Sequence, residues 1–202
     1  FNLTPFIVGR SFNDDTARFR FGGEFSVSLD KHKLKSTVFT DESTLEADPF
    51  RYSFYGRPIF LQEKRPFFSK DLDIYRTPVN LFYTRAIDKI QYGFNYTYRS
   101  DKFKMGAVYV QDTLPTADSS TRRFVVARPN FNFQDFNIGG LFMYNYNRLD
   151  SSEQKLASVD GRVNLPSRFR LISQFATVFN SDKDGNSKNA HMYNAYLSYE
   201  QN

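Results

Sequence analysis

The sequence predicts an all-β fold, an antiparallel up-and-down β-barrel or part of one, with about ten strands around an internal segment. Three observations predict it. Apolar and polar residues alternate with a period of two along most of the chain. Turn-forming clusters interrupt that alternation at intervals of about ten residues. One long stretch, residues 41–85, does not follow it.

Taken in order, Phe1 to Phe12 reads as the first strand, with Pro5 near its start, where a missing amide donor is tolerated. Residues 17–29 follow, with Phe19, Phe21, Gly23, Phe25, Val27 and Leu29 on one face and Arg18, Arg20, Gly22, Glu24, Ser26 and Ser28 on the other. The polar run Asp30 to Lys33 turns the chain into a return strand, Leu34 to Thr40. Lys89 to Tyr98 puts Ile90, Tyr92, Phe94, Tyr96 and Tyr98 on one face and Lys89, Gln91, Gly93, Asn95 and Thr97 on the other. A turn at Arg99 to Lys102 leads into Phe103 to Gln111, where Phe103, Met105, Ala107 and Tyr109 share a face. Asp112 to Thr121 reads as a loop, and Arg122 to Phe133 as a strand interrupted at Pro129. Asn137 to Arg148 carries Ile138, Gly140, Phe142, Tyr144 and Tyr146 against Asn145 and Asn147. After a polar loop, Leu149 to Gln154, the strand Leu156 to Leu165 sets Ala157, Val159, Gly161 and Val163 against Ser158, Asp160, Arg162 and Asn164. Pro166-Ser167 turns into Phe169 to Phe179, and Ser181 to Asn189 is a polar hairpin loop before His191 to Tyr199.

A chain of 202 residues suits one domain, 1–202, with 41–85 as its inward-folded or plug-like part. Aromatic residues make up 18% (23 Phe, 13 Tyr, no Trp), yet mean hydropathy is −0.56, a pairing that suits strands with one greasy and one wet face. Strands of about ten residues match the crossing length of a tilted membrane strand. The turns at Asp30, Ser100 and Pro166 are brief and those at Asp112, Leu149 and Ser181 longer, the asymmetry of a membrane barrel's two ends. A bacterial outer-membrane location and contact with its lipid follow. The alternative is a soluble or surface-attached β-domain that binds or helps process carbohydrate. The net charge of +5 is spread along the chain, which argues against nucleic acid. With no leader before Phe1 and no terminal aromatic in Tyr199-Glu200-Gln201-Asn202, the chain reads as a fragment of a longer barrel.

Glu46, Asp48, Arg51, Arg57, Glu63, Lys64, Arg65 and Arg85 form the candidate lumen charge network. Such charges are costly to bury unless paired or wetted, and a barrel interior supplies both conditions. They read first as the pins of an inward-folded segment and second as a constriction that selects what passes. Tyr92, Phe94, Tyr96, Phe142 and Tyr144 read as lipid-facing or interfacial aromatics, Phe94 and Phe142 deeper than the tyrosines. Glycan stacking on the tyrosines is the competing use. The pair Glu46 and Glu63 is the weak case for acid and base chemistry. His32 and His191 lie far apart without metal-ligand spacing, there is no cysteine, and no nucleophile or phosphate motif stands out, so no catalytic residue, metal or cofactor is expected. Gly22-Gly23 and Gly139-Gly140 sit inside strands, where bends or close packing are expected.

Three blocks carry a family resemblance: Glu46-Ala47-Asp48-Pro49; then Glu63-Lys64-Arg65-Pro66-Phe67-Phe68 after an aromatic stretch; then Phe82-Tyr83-Thr84-Arg85-Ala86-Ile87-Asp88. In order and spacing they resemble bacterial proteins in which a carbohydrate-binding module similar to family nine precedes a domain of unknown function expected to be an outer-membrane β-barrel. Leu3-Thr4-Pro5-Phe6 resembles the start of that domain. Departures are Ser69-Lys70-Asp71, where the family has an apolar residue, Glu, and Gly or Asn; Ala86 for its second Arg; and Asp88 for its Gly. The resemblance implies a non-enzymatic channel, transporter part or scaffold linked to glycan handling.

Overall fold

The computed structural model describes residues 1–10, 18–39, 63, 65–84, 87, 89–113 and 121–199. Ten strands run along it: β1 (Asn2–Arg10), β2 (Arg18–Leu29), β3 (His32–Val38), β4 (Lys89–Arg99), β5 (Phe103–Thr113), β6 (Thr121–Asn132), β7 (Phe136–Asn147), β8 (Ser152–Asn164), β9 (Phe169–Ser181) and β10 (Ser187–Tyr199). They form one antiparallel up-and-down sheet in chain order, β1 to β10. This is the all-β architecture that the period of two predicts, in the predicted order. Among the described residues β1 and β10 each pair on one side only.

Alternation assigns the two faces. One face presents Ile7, Phe21, Phe25, Leu34, Phe94, Phe142, Val159, Phe175 and Leu197 to the outside, all exposed. The other buries Lys35, Thr37, Asn95, Thr97, Asp112, Arg128, Ser158, Asp160 and Gln174. Register keeps these sets apart, since partners such as Val108 and Val126 or Phe94 and Tyr109 face the same way.

Several boundaries differ from the sequence reading, each for a local reason. Ile90 does not share the face of Tyr92. One extra residue in β4 shifts the register between Ile90, opposite Asp112, and Tyr92, opposite Gln111, and this bulge turns Ile90 inward, where it is buried. Asp112 is not in a loop: β5 continues to Thr113, and Asp112 pairs with Arg122 across the ladder. β6 runs through Pro129 because the register on either side, Ala127 to Phe142 and Asn130 to Gly139, is continuous. β8 starts at Ser152 and β10 at Ser187, so the two adjoining loops are shorter than they read. Asp182 closes the second by accepting the amides of Asp184 and Asn186, and Gly185 there has φ 78°, which a glycine adopts freely.

Connections at one end of the sheet are residues 30–31, 100–102, 133–135 and 165–168; at the other they are 11–17, 39–88, 114–120, 148–151 and 182–186. One end therefore carries only tight turns. The long connection 39–88 joins β3 and β4, which are paired neighbours, and its described part packs on the inner face.

Candidate functional site

The inner segment starts its described course at Glu63 and Arg65 and then forms a one-turn helix, α1 (Pro66–Ser69), with proline at the position where a missing N–H costs nothing. A 3₁₀ turn follows at Leu72–Tyr75. The helix is too short to hold itself, so side-chain packing must fix it. Phe67 and Phe68 meet edge to face at 4.8 Å, and Tyr75 and Phe82 at 5.6 Å. These rings, with Ile74 and Ile87, make one core with the inward Ile90, Val108, Val110, Phe124, Val126 and Leu141 of the wall.

Two glycines make the close approach feasible. A Cβ on Gly93 would stand 2.9 Å from Cζ of Phe67, and one on Gly106 would stand 2.7 Å from both Ile74 and Tyr75. Each sits where a larger residue would hold the segment off the wall.

Polar contacts fix the segment's position. The Arg65 guanidinium donates from Nε to Glu63 Oε1 at 2.9 Å and from Nη2 to Oε2 at 2.8 Å, and reaches the carbonyls of Ile87 and Thr84, both at 2.9 Å. Arg65 is 1% exposed, and its guanidinium lies 4.9 Å over the Phe68 ring. Asp71 is gripped from the wall by Lys35 at 2.5 Å and Lys33 at 3.1 Å. Asp73 accepts a two-pronged contact from Arg99, 2.8 and 2.7 Å. Asn95 of β4 accepts from Tyr75 Oη at 2.9 Å and donates to the Phe67 carbonyl at 3.2 Å. On the far side, Val79 N–H donates to Gln174 of β9 at 2.6 Å. The segment thus spans the inner face from β3 to β9.

Burial would raise the Glu63 carboxyl, but the Arg65 hydrogen bonds and charge outweigh it and hold the group below the usual carboxylate range. Asp71 behaves alike: burial pushes it up, and Lys35 and Lys33 bring it down further. For Asp73 the Arg99 hydrogen bond dominates and lowers it. Burial raises the Tyr75 hydroxyl, which stays neutral and donates. A general acid needs a raised carboxyl, so Glu63, held low by Arg65, suits an ion-pair partner and not the acid half of a glycosidase pair.

Of the residues singled out in the sequence, Glu63 and Arg65 come together in that clamp. Glu46, Asp48, Arg51, Arg57, Lys64 and Arg85 lie outside the described residues. Tyr92, Phe94 and Phe142 are exposed on the outer face, and Tyr96 and Tyr144 are half-buried on the same face. His32 accepts or donates a 2.8 Å bond with Tyr96 Oη, and His191 stacks on Phe175, so both are occupied on the outside of the wall. Among the described residues no group of acids and histidines could hold a metal.

Sequence reading missed the wall's own ion pairs. Arg128 of β6 holds Asp160 of β8 with both terminal nitrogens, at 2.6 and 2.8 Å, over Gly139, where a Cβ would come within 2.9 Å of Arg128. Arg122 holds Asp112 at 2.7 Å. The signal was present as charged residues on the polar side of strands, such as Lys33, Lys35 and Asp160. Their partners sit on the inner segment or on another strand and cannot be read along the chain.

No family model matches this chain, and no curated protein matches it by sequence. Among solved structures it is similar to forms of OmpT, an outer membrane protein of Vibrio cholerae. A loop L8 deletion mutant matches at 12% identity over 98% of this chain and 86% of that one, with a TM-score of 0.45. The in-vitro folded trimer form matches at 12% identity over 98% and 81%, with a TM-score of 0.45. The outer-membrane expressed protein matches at 12% over 96% and 72%, with a TM-score of 0.40.

Proposed function

We propose that this chain forms wall and inner segment of a bacterial outer-membrane β-barrel, non-enzymatic, acting as a channel, transporter part or scaffold. The observation that carries the reading is the inverted distribution of polarity. A soluble sandwich hides its apolar strand faces against each other, whereas here Phe, Leu, Ile and Val point outward from at least eight strands, and the inner face buries Lys, Arg, Asp and Asn beside the apolar patch on which the segment packs. Apolar-out and polar-in is what a lipid-embedded barrel requires. Strands of 11 to 13 residues from β4 to β10 suit a tilted crossing.

On this reading the tight-turn end faces the periplasm and the segment enters from the outer end. Its charges serve to pin it, because each described carboxylate of the segment is matched by an arginine or lysine. The link to glycan handling rests on the resemblance carried by Glu46 to Pro49 and Glu63 to Phe68.

Refolding into lipid vesicles tests the proposal. Phe94 sits midway along β4 and is 50% exposed. Phe94→Arg places a cation at the hydrocarbon midplane and is expected to cost about 2–4 kcal/mol of insertion free energy, read as a lower membrane-folded fraction. A wild-type protein that stays folded and monomeric in detergent-free buffer would overturn the membrane reading.

A further inference from the structure

Between the segment and the wall, toward the tight-turn end, lies a cavity of about 440 Å³, bounded by Arg76 to Pro78 and by residues of β5 to β9 near that end. Its charge is lopsided. Two carboxylates line it, and both are already held: Asp160 by Arg128 at 2.6 and 2.8 Å, and Asp73 by Arg99 at 2.8 and 2.7 Å. Arg76, Lys104 and Arg162 line the same space, and none of the three stands at ion-pair distance from a described carboxylate, Lys104 acting on Asp73 only at longer range. They come from three separate places in the fold, the segment, β5 and β8, so their convergence follows from tertiary structure and not from a local basic run. The neighbouring amides give no negative charge: Asn130, Asn132 and Asn137 bond one another, and Asn164 accepts from Arg170 Nε at 3.1 Å.

We infer that this cavity binds small oxyanions. Three cations converging on one water-accessible cavity attract an anion and repel a cation, and a guanidinium offers a fork that fits two oxygens of a carboxylate, sulfate or phosphate. The volume is at the small end for a ligand site and fits an inorganic oxyanion or a single acidic sugar. The inference rests on the lumen reading for the route by which ligand arrives, but not for binding itself.

The test is calorimetric titration of the full-length protein in low-salt buffer with inorganic sulfate, glucuronate and neutral glucose. Wild type is expected to bind at least one of the two anions saturably, glucuronate preferred if the occupant is an acid sugar and sulfate if it is inorganic, and to bind glucose far more weakly. Lys104→Gln with Arg162→Gln, both on accessible side chains, is expected to weaken anion binding about tenfold or more, since losing even one of the two charged hydrogen bonds has that effect. Arg123→Gln, on the outer face, is expected to leave it unchanged. No saturable anion binding, equal affinity in the double variant, or glucose binding as tightly as glucuronate would each overturn the site. A protein that proves soluble without detergent would sink the membrane reading, yet the same titration run in that buffer would still decide the cavity.

Discussion

Arg65 illustrates how a buried charge is held at the residue scale. Its guanidinium lies within hydrogen-bonding distance of one carboxylate and two carbonyls and stacks on Phe68, so it is buried without being left unpaired. Arg65→Ala removes that partner while Glu63 stays buried, which is expected to cost about 3–5 kcal/mol, measured as a lowered denaturant midpoint in micelles. Arg65→Lys keeps the charge but not the fork and is expected to recover only part of it. Anion affinity should move far less than stability in both; unaltered stability with changed conductance would make Arg65 a gate instead of a pin. The sequence motif pointed to Arg65, and its partner is only two residues away. The carbonyls of Thr84 and Ile87 that complete the shell could not be read, because no side chain announces a carbonyl acceptor.

At the scale of the element, the strands were legible because side chains alternate wherever one face is wet. Lys89 to Tyr98 shows the limit of that signal: a period of two continues through Ile90 on paper, and the bulge that flips it depends on how β5 pairs alongside. The segment was legible only as an exception to the alternation. Its docking depends on Gly93 and Gly106, which in the sequence are merely glycines on the polar side of strands. Gly106→Val would place methyls into Ile74 and Tyr75, 2.7 Å away already at Cβ. Such overpacking is expected to cost about 1–3 kcal/mol and to push the segment off while β5 stays paired to β4 and β6. Faster proteolysis within 66–84 at unchanged sheet content would report it; equal protease resistance would count against the glycine's role.

For the whole molecule, the anchor points of the segment titrate together. Glu63, Asp71 and Asp73 all have carboxyls lower when folded than when unfolded. The unfolded or undocked chain therefore takes up protons first as pH falls. Their contribution is complete above the ordinary carboxylate range, about pH 4–4.5, and is lost as the pH drops below it toward the depressed folded values. Thermal unfolding followed from pH 7 to pH 2 should show a flat region and then a decline beginning near pH 4. A decline beginning near pH 6 would count against these three carboxylates as its source. Overall polarity was the most legible property at this scale: a chain 18% aromatic with negative mean hydropathy must put its rings on one side of something. Which side faces lipid depends on where the strands' charged and amide side chains go, and these lie on the inner face while large apolar ones stand exposed on the other.

Because β3 and β4 are hydrogen-bonded neighbours, with the Phe39 amide donating to the Gln91 carbonyl where the connection begins, the connection starts and ends side by side at one end of the sheet. Every strand pairs with its neighbour in the chain, so the sheet can form in sequence across the long 39–88 connection, and residues 65–84 can dock afterwards, as a tongue folds into a mouth already formed. Residues 65–84 touch the wall through side chains, and no ladder hydrogen bond has to open for them to dock.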